Sequence, residues 1–121
     1  MRRGEVWTVS GGADYAKKPR PAVIIQSDRF DATESITICT LTTTEREASF
    51  FRLEIRPTPA NGLTQRSWLM VDKVSTVPRT RIGRRLGHLE DEEASRLNQA
   101  LIVFLGLATP VRANNITGAT T

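Results

Sequence analysis

Short stretches of apolar and β-branched residues fill most of this chain, and only one stretch, near the C-terminus, spaces its apolar positions at three and four. Residues 5–9, Glu-Val-Trp-Thr-Val, mix polar and apolar side chains and stop at Ser10-Gly11-Gly12, which predicts a first strand running into a loop. Residues 21–26, Pro-Ala-Val-Ile-Ile-Gln, form a continuous apolar run whose β-branched members suit a central strand covered on both faces. A polar turn over 27–34 leads to residues 35–42, rich in Ile and Thr and again strand-like, although alternation alone leaves the inward face open. A charged hairpin segment, 43–49, precedes residues 51–56, where Phe51, Leu53 and Ile55 share one face and the charges the other. Two prolines and Asn61-Gly62 then force a turn over 56–62. Residues 67–72 and 73–77 predict a further strand with a bend, followed by a basic stretch over 78–85 and a short segment at 86–89.

The acidic run Glu90, Asp91, Glu92, Glu93 lies where a helix N-terminus favours negative charge, and Ala94, Leu97, Leu101, Phe104 and Leu105 follow at helical spacing. One helix is expected over 91–107. Its last turns, residues 101–105, are apolar on nearly every side, which suits either a second copy of the chain or the deep end of a core. Residues 110–121 are small, polar and without period and are expected to be a flexible tail after a single domain of residues 1–109. A length of 121 residues fits one core and no repeat is visible.

Charge adds a partner class. A net charge of +4 and a pI near 10.0 favour a polyanion, either nucleic-acid phosphates or an acidic protein segment. The longest apolar run, 100–108, is broken by Gly106 and too short to cross a bilayer, and the first residues lack a secretory apolar stretch, so no membrane and a cytoplasmic location are expected. The lone Cys39 reads as a packed strand residue, and no His, Cys and carboxylate cluster has metal-ligand spacing, so neither metal nor cofactor is expected. His88, the single histidine, reads as packing or capping at the helix start. The loop over 10–19 carries Asp14, Tyr15, Lys17 and Lys18 and reads equally as a basic flap over a site or as a solvated loop; it lacks the ending of a nucleotide-binding P-loop. Arg79, Arg81, Arg84 and Arg85 form either a solvated face or a track for phosphates or acidic side chains. Trp68 and Tyr15 have rings that suit stacking on unpaired bases, but Trp68, in an apolar strand, also suits a core or a dimer interface.

Several strings in this order resemble the MazF/PemK-like toxins: Arg2-Arg3-Gly4-Glu5-Val6-Trp7, Arg20-Pro21-Ala22-Val23-Ile24-Ile25, Thr40-Leu41-Thr42-Thr43, Asn61-Gly62-Leu63, residues 68–77, and Gly87-His88-Leu89. The resemblance covers residues 1–107. It implies a compact, twisted, SH3-like antiparallel β-barrel with a C-terminal helix, assembled as a homodimer, that cleaves single-stranded RNA at short sequences and is silenced by a cognate antitoxin. The arginine before the family's proline falls on Arg20 and the threonine of its Pro-Leu-Thr-Ser-like string on Thr42. Thr40 stands where that string begins with proline, which leaves Thr43 as a substitute for Thr42. An aspartate used by some members matches Asp72, while a first-loop histidine is absent and Met70 replaces an arginine.

The expected chemistry is attack of the ribose 2′-OH on the adjacent phosphorus, which needs charge stabilisation and two proton transfers. Arg20, permanently cationic and bidentate, suits the phosphate; Thr42 suits hydrogen bonding to the phosphate or the 2′-OH. Asp72 and Asp14 are both open as the base. Asp14, Tyr15, Lys17, Lys18, Thr43, Arg79 and Arg81 are the expected RNA contacts. Two other functions fit the same fold: a CcdB-like poison that binds DNA gyrase, and an RNA-binding barrel without catalysis.

Overall fold

The computed structural model describes residues 1–11, 18–44 and 51–108. Six strands form one antiparallel sheet: β1 Glu5–Val9, β2 Arg20–Ile24, β3 Ser35–Thr42, β4 Arg52–Ile55, β5 Ser67–Pro78 and β6 Ile82–His88. Their order is β4-β5-β3-β2-β1-β6, so β4 and β6 are the edges. The expected mostly-β fold with a C-terminal helix is therefore present, but the sheet is twisted and open rather than closed into a barrel: among the described residues no ladder joins β4 to β6.

Both faces of the middle strands are covered, which explains the continuous apolar run in β2. On one face Val6, Val23, Cys39, Leu41, Leu69 and Val71 pack beneath the helix α1, Asp91–Phe104, which inserts Leu97 and Leu101. On the other, Val9, Ala22, Ile24, Ile36, Ile38 and Val77 form a second, smaller core. The inward face of β3 was ambiguous in sequence because both of its faces are buried.

The acidic run does start the helix. Glu90 is the N-cap and exchanges hydrogen bonds with Glu93 in a capping box, the Glu90 N–H donating to Glu93 Oε1 at 2.9 Å. His88 takes neither expected role: it closes β6 with its side chain exposed, leaving the cap to Glu90. The helix stops at Phe104, short of the expected 107, because Gly106 adopts φ +72°. Gly106 N–H donates to the Val103 carbonyl and Leu107 N–H to that of Ile102, satisfying the last turn as a Schellman motif does. Beyond Leu101 the apolar side chains find little cover among the described residues: Val103 is 59% and Leu107 72% exposed. The deep-core reading of this end thus holds only as far as Leu101.

The turn expected over 56–62 is built around Asn61, which is fully buried. Its Oδ1 accepts from the N–H groups of Thr58 and Leu63, each at 3.0 Å, and its Nδ2 donates to the Arg56 carbonyl at 2.9 Å. Gly62, at φ +69°, lies where a Cβ would overlap the Leu86 carbonyl, so the turn packs closely across β6. Near the N-terminus, Arg3 donates from Nε to the Ile25 carbonyl at 2.8 Å and from Nη1 to Asn98 Oδ1 at 2.8 Å, tying the first residues to α1.

Candidate active site

Register sets the site. In the β2/β3 ladder Ala22 faces Thr40, so Arg20, two residues earlier, comes opposite Thr42, two residues later. Val9 pairs with Arg20 on one side, while Thr42 pairs with Trp68 and Trp68 with Glu54 on the other. Since residues two apart share a face, Val9, Arg20, Thr42, Trp68 and Glu54 make one row across the sheet, on the face of the smaller core and away from α1.

Over this row opens a cleft of about 810 Å³. Lys18, Arg20, Arg52, Lys73 and Arg81 supply its cations, Ser10, Thr40, Thr42 and Thr44 its hydroxyls, and Ile38 and Met70 part of its apolar floor. Among the described residues no carboxylate lines it. The β3/β5 pairing shifts register between Cys39, opposite Val74, and Leu41, opposite Leu69. This irregularity is the bend expected in β5, and such bulges re-aim side chains; Met70 and Lys73, both within it, face the cleft.

Arg20 is exposed, and among the described residues no carboxylate pairs with it. Thr42 Oγ1 accepts from the Thr44 N–H at 3.1 Å, which holds the hydroxyl at the strand end and leaves its hydrogen for donation. Asp72 is half-buried, with Oδ1 3.3 Å from Arg52 Nε. Around Cys39, burial first and the Asp72 charge second push the thiol up to about 12.

Residues 2–105 match the family described as PemK-like, MazF-like toxin of type II toxin-antitoxin system. The chain belongs to this toxin family. It is 49% identical over 108 residues to a probable endoribonuclease MazF of Mycolicibacterium smegmatis, covering 89% of this chain and 99% of that one. With endoribonuclease MazF9 of Mycobacterium tuberculosis it shares 28% identity over 116 residues, covering 88% of this chain and 98% of the relative. A solved mycobacterial endoribonuclease in complex with its cognate antitoxin superposes with a TM-score of 0.75 at 25% identity, covering 91% of this chain and 99% of that one.

In this toxin the structure brings together Lys18, Arg20, Thr42 and Arg81 at the cleft, with Asp72 attached through Arg52. Besides Asp72, two of the sequence candidates stand apart from the lining. Thr43 is exposed, and Thr44 rather than Thr43 borders the cleft. Arg79 is turned to the carbonyls of Asp31 and Thr33, to which its guanidinium donates, so it pins the segment after the 3-10 turn Asp28–Phe30 instead of facing the cleft. Asp14, Tyr15, Lys17 and the tail over 110–121 lie outside the described residues.

Arg52 and Lys73 are cleft residues that sequence reasoning missed. Arg52 reads as the polar face of an edge strand and Lys73 as part of a bend; the bend itself was the available signal. Of the remaining basic residues, Arg84 is exposed, and Arg85 lies 3.1 Å from Glu5 Oε2. Burial acts to raise the Glu5 carboxyl, but hydrogen bonds from the Arg2 N–H, the Trp7 indole and Arg85 outweigh it and hold the group below its usual range.

Proposed function

We propose that this toxin is a metal-independent endoribonuclease that cleaves single-stranded RNA through 2′-OH attack on the scissile phosphate. One observation carries the reading: an exposed arginine without a carboxylate partner among the described residues, and a strand-end threonine across the β2/β3 ladder from it, both line a cleft rich in cations. The names of its relatives support RNA as the substrate. Arg20 grips the phosphate with parallel hydrogen bonds that strengthen as charge builds in the transition state. Thr42 donates its hydroxyl hydrogen to the same group, and Lys18, Lys73 and Arg81 carry the flanking phosphates.

The 2′-oxygen bonds to phosphorus as the bond to the 5′-oxygen breaks. The 2′-proton passes to a base, and a proton reaches the leaving 5′-oxygen, leaving a cyclic phosphate and a 5′-OH end. Asp72 is the described candidate for the base, its carboxylate oriented by Arg52; Asp14 is the other. Metal independence is supported by the donor set, since among the described residues no three of His, Cys, Asp and Glu come together. The cationic cleft equally suits an acidic antitoxin segment as inhibitor, and the uncovered end of α1 suits a homodimer.

The test is incubation of the wild type and Arg20→Ala with a defined RNA in EDTA, followed by mapping of the product ends. The wild type is expected to cut, leaving cyclic phosphate and 5′-OH ends. Arg20→Ala is expected to lose at least about a thousandfold in rate with an unchanged circular dichroism spectrum. Cutting that stops with chelator, or full activity in a folded Arg20→Ala protein, rejects the mechanism. RNA shifted in a gel but never shortened favours a binding module.

A further inference from the structure

The row that holds Arg20 and Thr42 continues into a tryptophan that neither core uses. Trp68 is partly buried, belongs to neither core cluster of the described residues, and is the direct cross-strand neighbour of Thr42. Directly paired residues in an antiparallel sheet have Cα atoms about 4.5–5.5 Å apart, so the indole begins one side-chain width from the threonine. Neither core of the described residues takes up the largest side chain of β5. What the ring does meet is Arg66, whose guanidinium carbon lies 4.9 Å from the ring centroid. Glu54, paired with Trp68 from the edge strand β4, holds that arginine: its Oε2 is 2.5 Å from Arg66 Nε and 3.2 Å from Arg56 Nε. The result is a preassembled stack of aromatic ring and planar cation, one strand over from Thr42 at the border of a cleft whose polar groups are cations and hydroxyls.

Resting on the ribonuclease reading, we propose that Trp68, with Arg66, is the subsite that stacks an unpaired nucleobase next to the phosphate gripped by Arg20 and Thr42. The division of labour follows from chemistry. Cations in the cleft bind phosphates without regard to sequence. A partly exposed indole beside the scissile position offers π-surface to a base splayed out of its strand, and a guanidinium plane stacks and donates in the same place. Glu54 fixes Arg66, so the platform is ordered before RNA arrives and little freedom is lost on binding. Trp68 is thus a specificity-determining residue that leaves the bond-breaking groups untouched.

The experiment compares wild type, Trp68→Phe and Trp68→Ala on an RNA pool with mapped cut sites, with kcat and KM measured on one preferred sequence. Trp68→Ala is expected to raise KM about 5- to 100-fold, to keep kcat within about threefold, and to flatten the base preference at one position adjoining the cut. Trp68→Phe, which keeps a stacking face, is expected to recover most of the KM. A folded Trp68→Ala protein with the wild-type KM and cut-site profile overturns the subsite. If Trp68→Ala does not fold, fluorescence of a Trp7→Phe protein titrated with an uncleavable 2′-deoxy oligonucleotide decides: quenching supports the stack, and an unchanged spectrum at saturating oligonucleotide rejects it. A wild type that cuts no RNA sinks the ribonuclease reading itself, a separate result from wild-type cutting that ignores Trp68.

Discussion

Cys39 lies on β3 with no exposure, its Sγ 3.2 Å from the Met70 carbonyl oxygen. Burial and the Asp72 charge together push the thiol up to about 12. At pH 8 the thiol is therefore almost wholly protonated, and the thiolate is the reactive form. Alkylation of the native toxin at pH 8 is therefore expected to take hours or longer and to finish within minutes in denaturant. Labelling in native buffer at the rate of a free thiol would contradict this. The same residue shows what sequence could deliver at this scale: a lone cysteine among Ile and Thr reads as packed, and it is. That Arg20 and Thr42 come to one cleft was also legible, through short strings around them. Arg52, Lys73 and the stacking surroundings of Trp68 were not, because their surroundings are set by partners brought in from other strands, and linear spacing does not contain that register.

Among the elements, β1 and β3 match the expected bounds, and the breaker cluster at 56–62 turns as expected. β6 was seen only in its last part. Arg84 and Arg85, exposed on an edge strand, obscure its alternation, and Gly83 looks like loop until its partner is known: a Cβ there would overlap Thr8 Oγ1. The helix overran its end because periodicity continues through Leu105 while the backbone reverses at Gly106. The crossing of the 56–62 turn over β6 yields a stability prediction. Gly62→Ala would demand both a positive φ and room held by the Leu86 carbonyl. It is expected to cost about 2–3 kcal/mol, lowering Tm by about 10 °C in a calorimeter. A shift below about 2 °C would mean that the crossing relaxes freely.

For the molecule as a whole, the exposed large apolar side chains of the described residues, Phe30 apart, gather at one place. Ile102, Val103, Phe104, Leu105 and Leu107 are all exposed at the end of α1, with only the Phe104 ring in contact with Phe51, 4.8 Å between centroids at 65°. Such a patch on a small domain is usually covered by another chain, consistent with the proposed homodimer. Val103→Glu, which changes an outward side chain and leaves Leu97 and Leu101 in the core, is expected to halve the mass measured by sedimentation at micromolar concentration. An unchanged mass would place any self-association elsewhere.

The placement of β1 has a kinetic consequence. It is flanked by β2, which follows it closely, and by β6, the last strand to be made, and Arg3 reaches Asn98 across 95 positions of sequence. Native order must therefore wait for the two ends of the polypeptide to meet, a search that places this chain among the slower-folding small domains, in the millisecond-to-second range. A newly synthesised copy passes through an interval in which the Arg20 and Thr42 strands exist but the sheet around them is unfinished, so native order arrives only after β6 and α1 have joined.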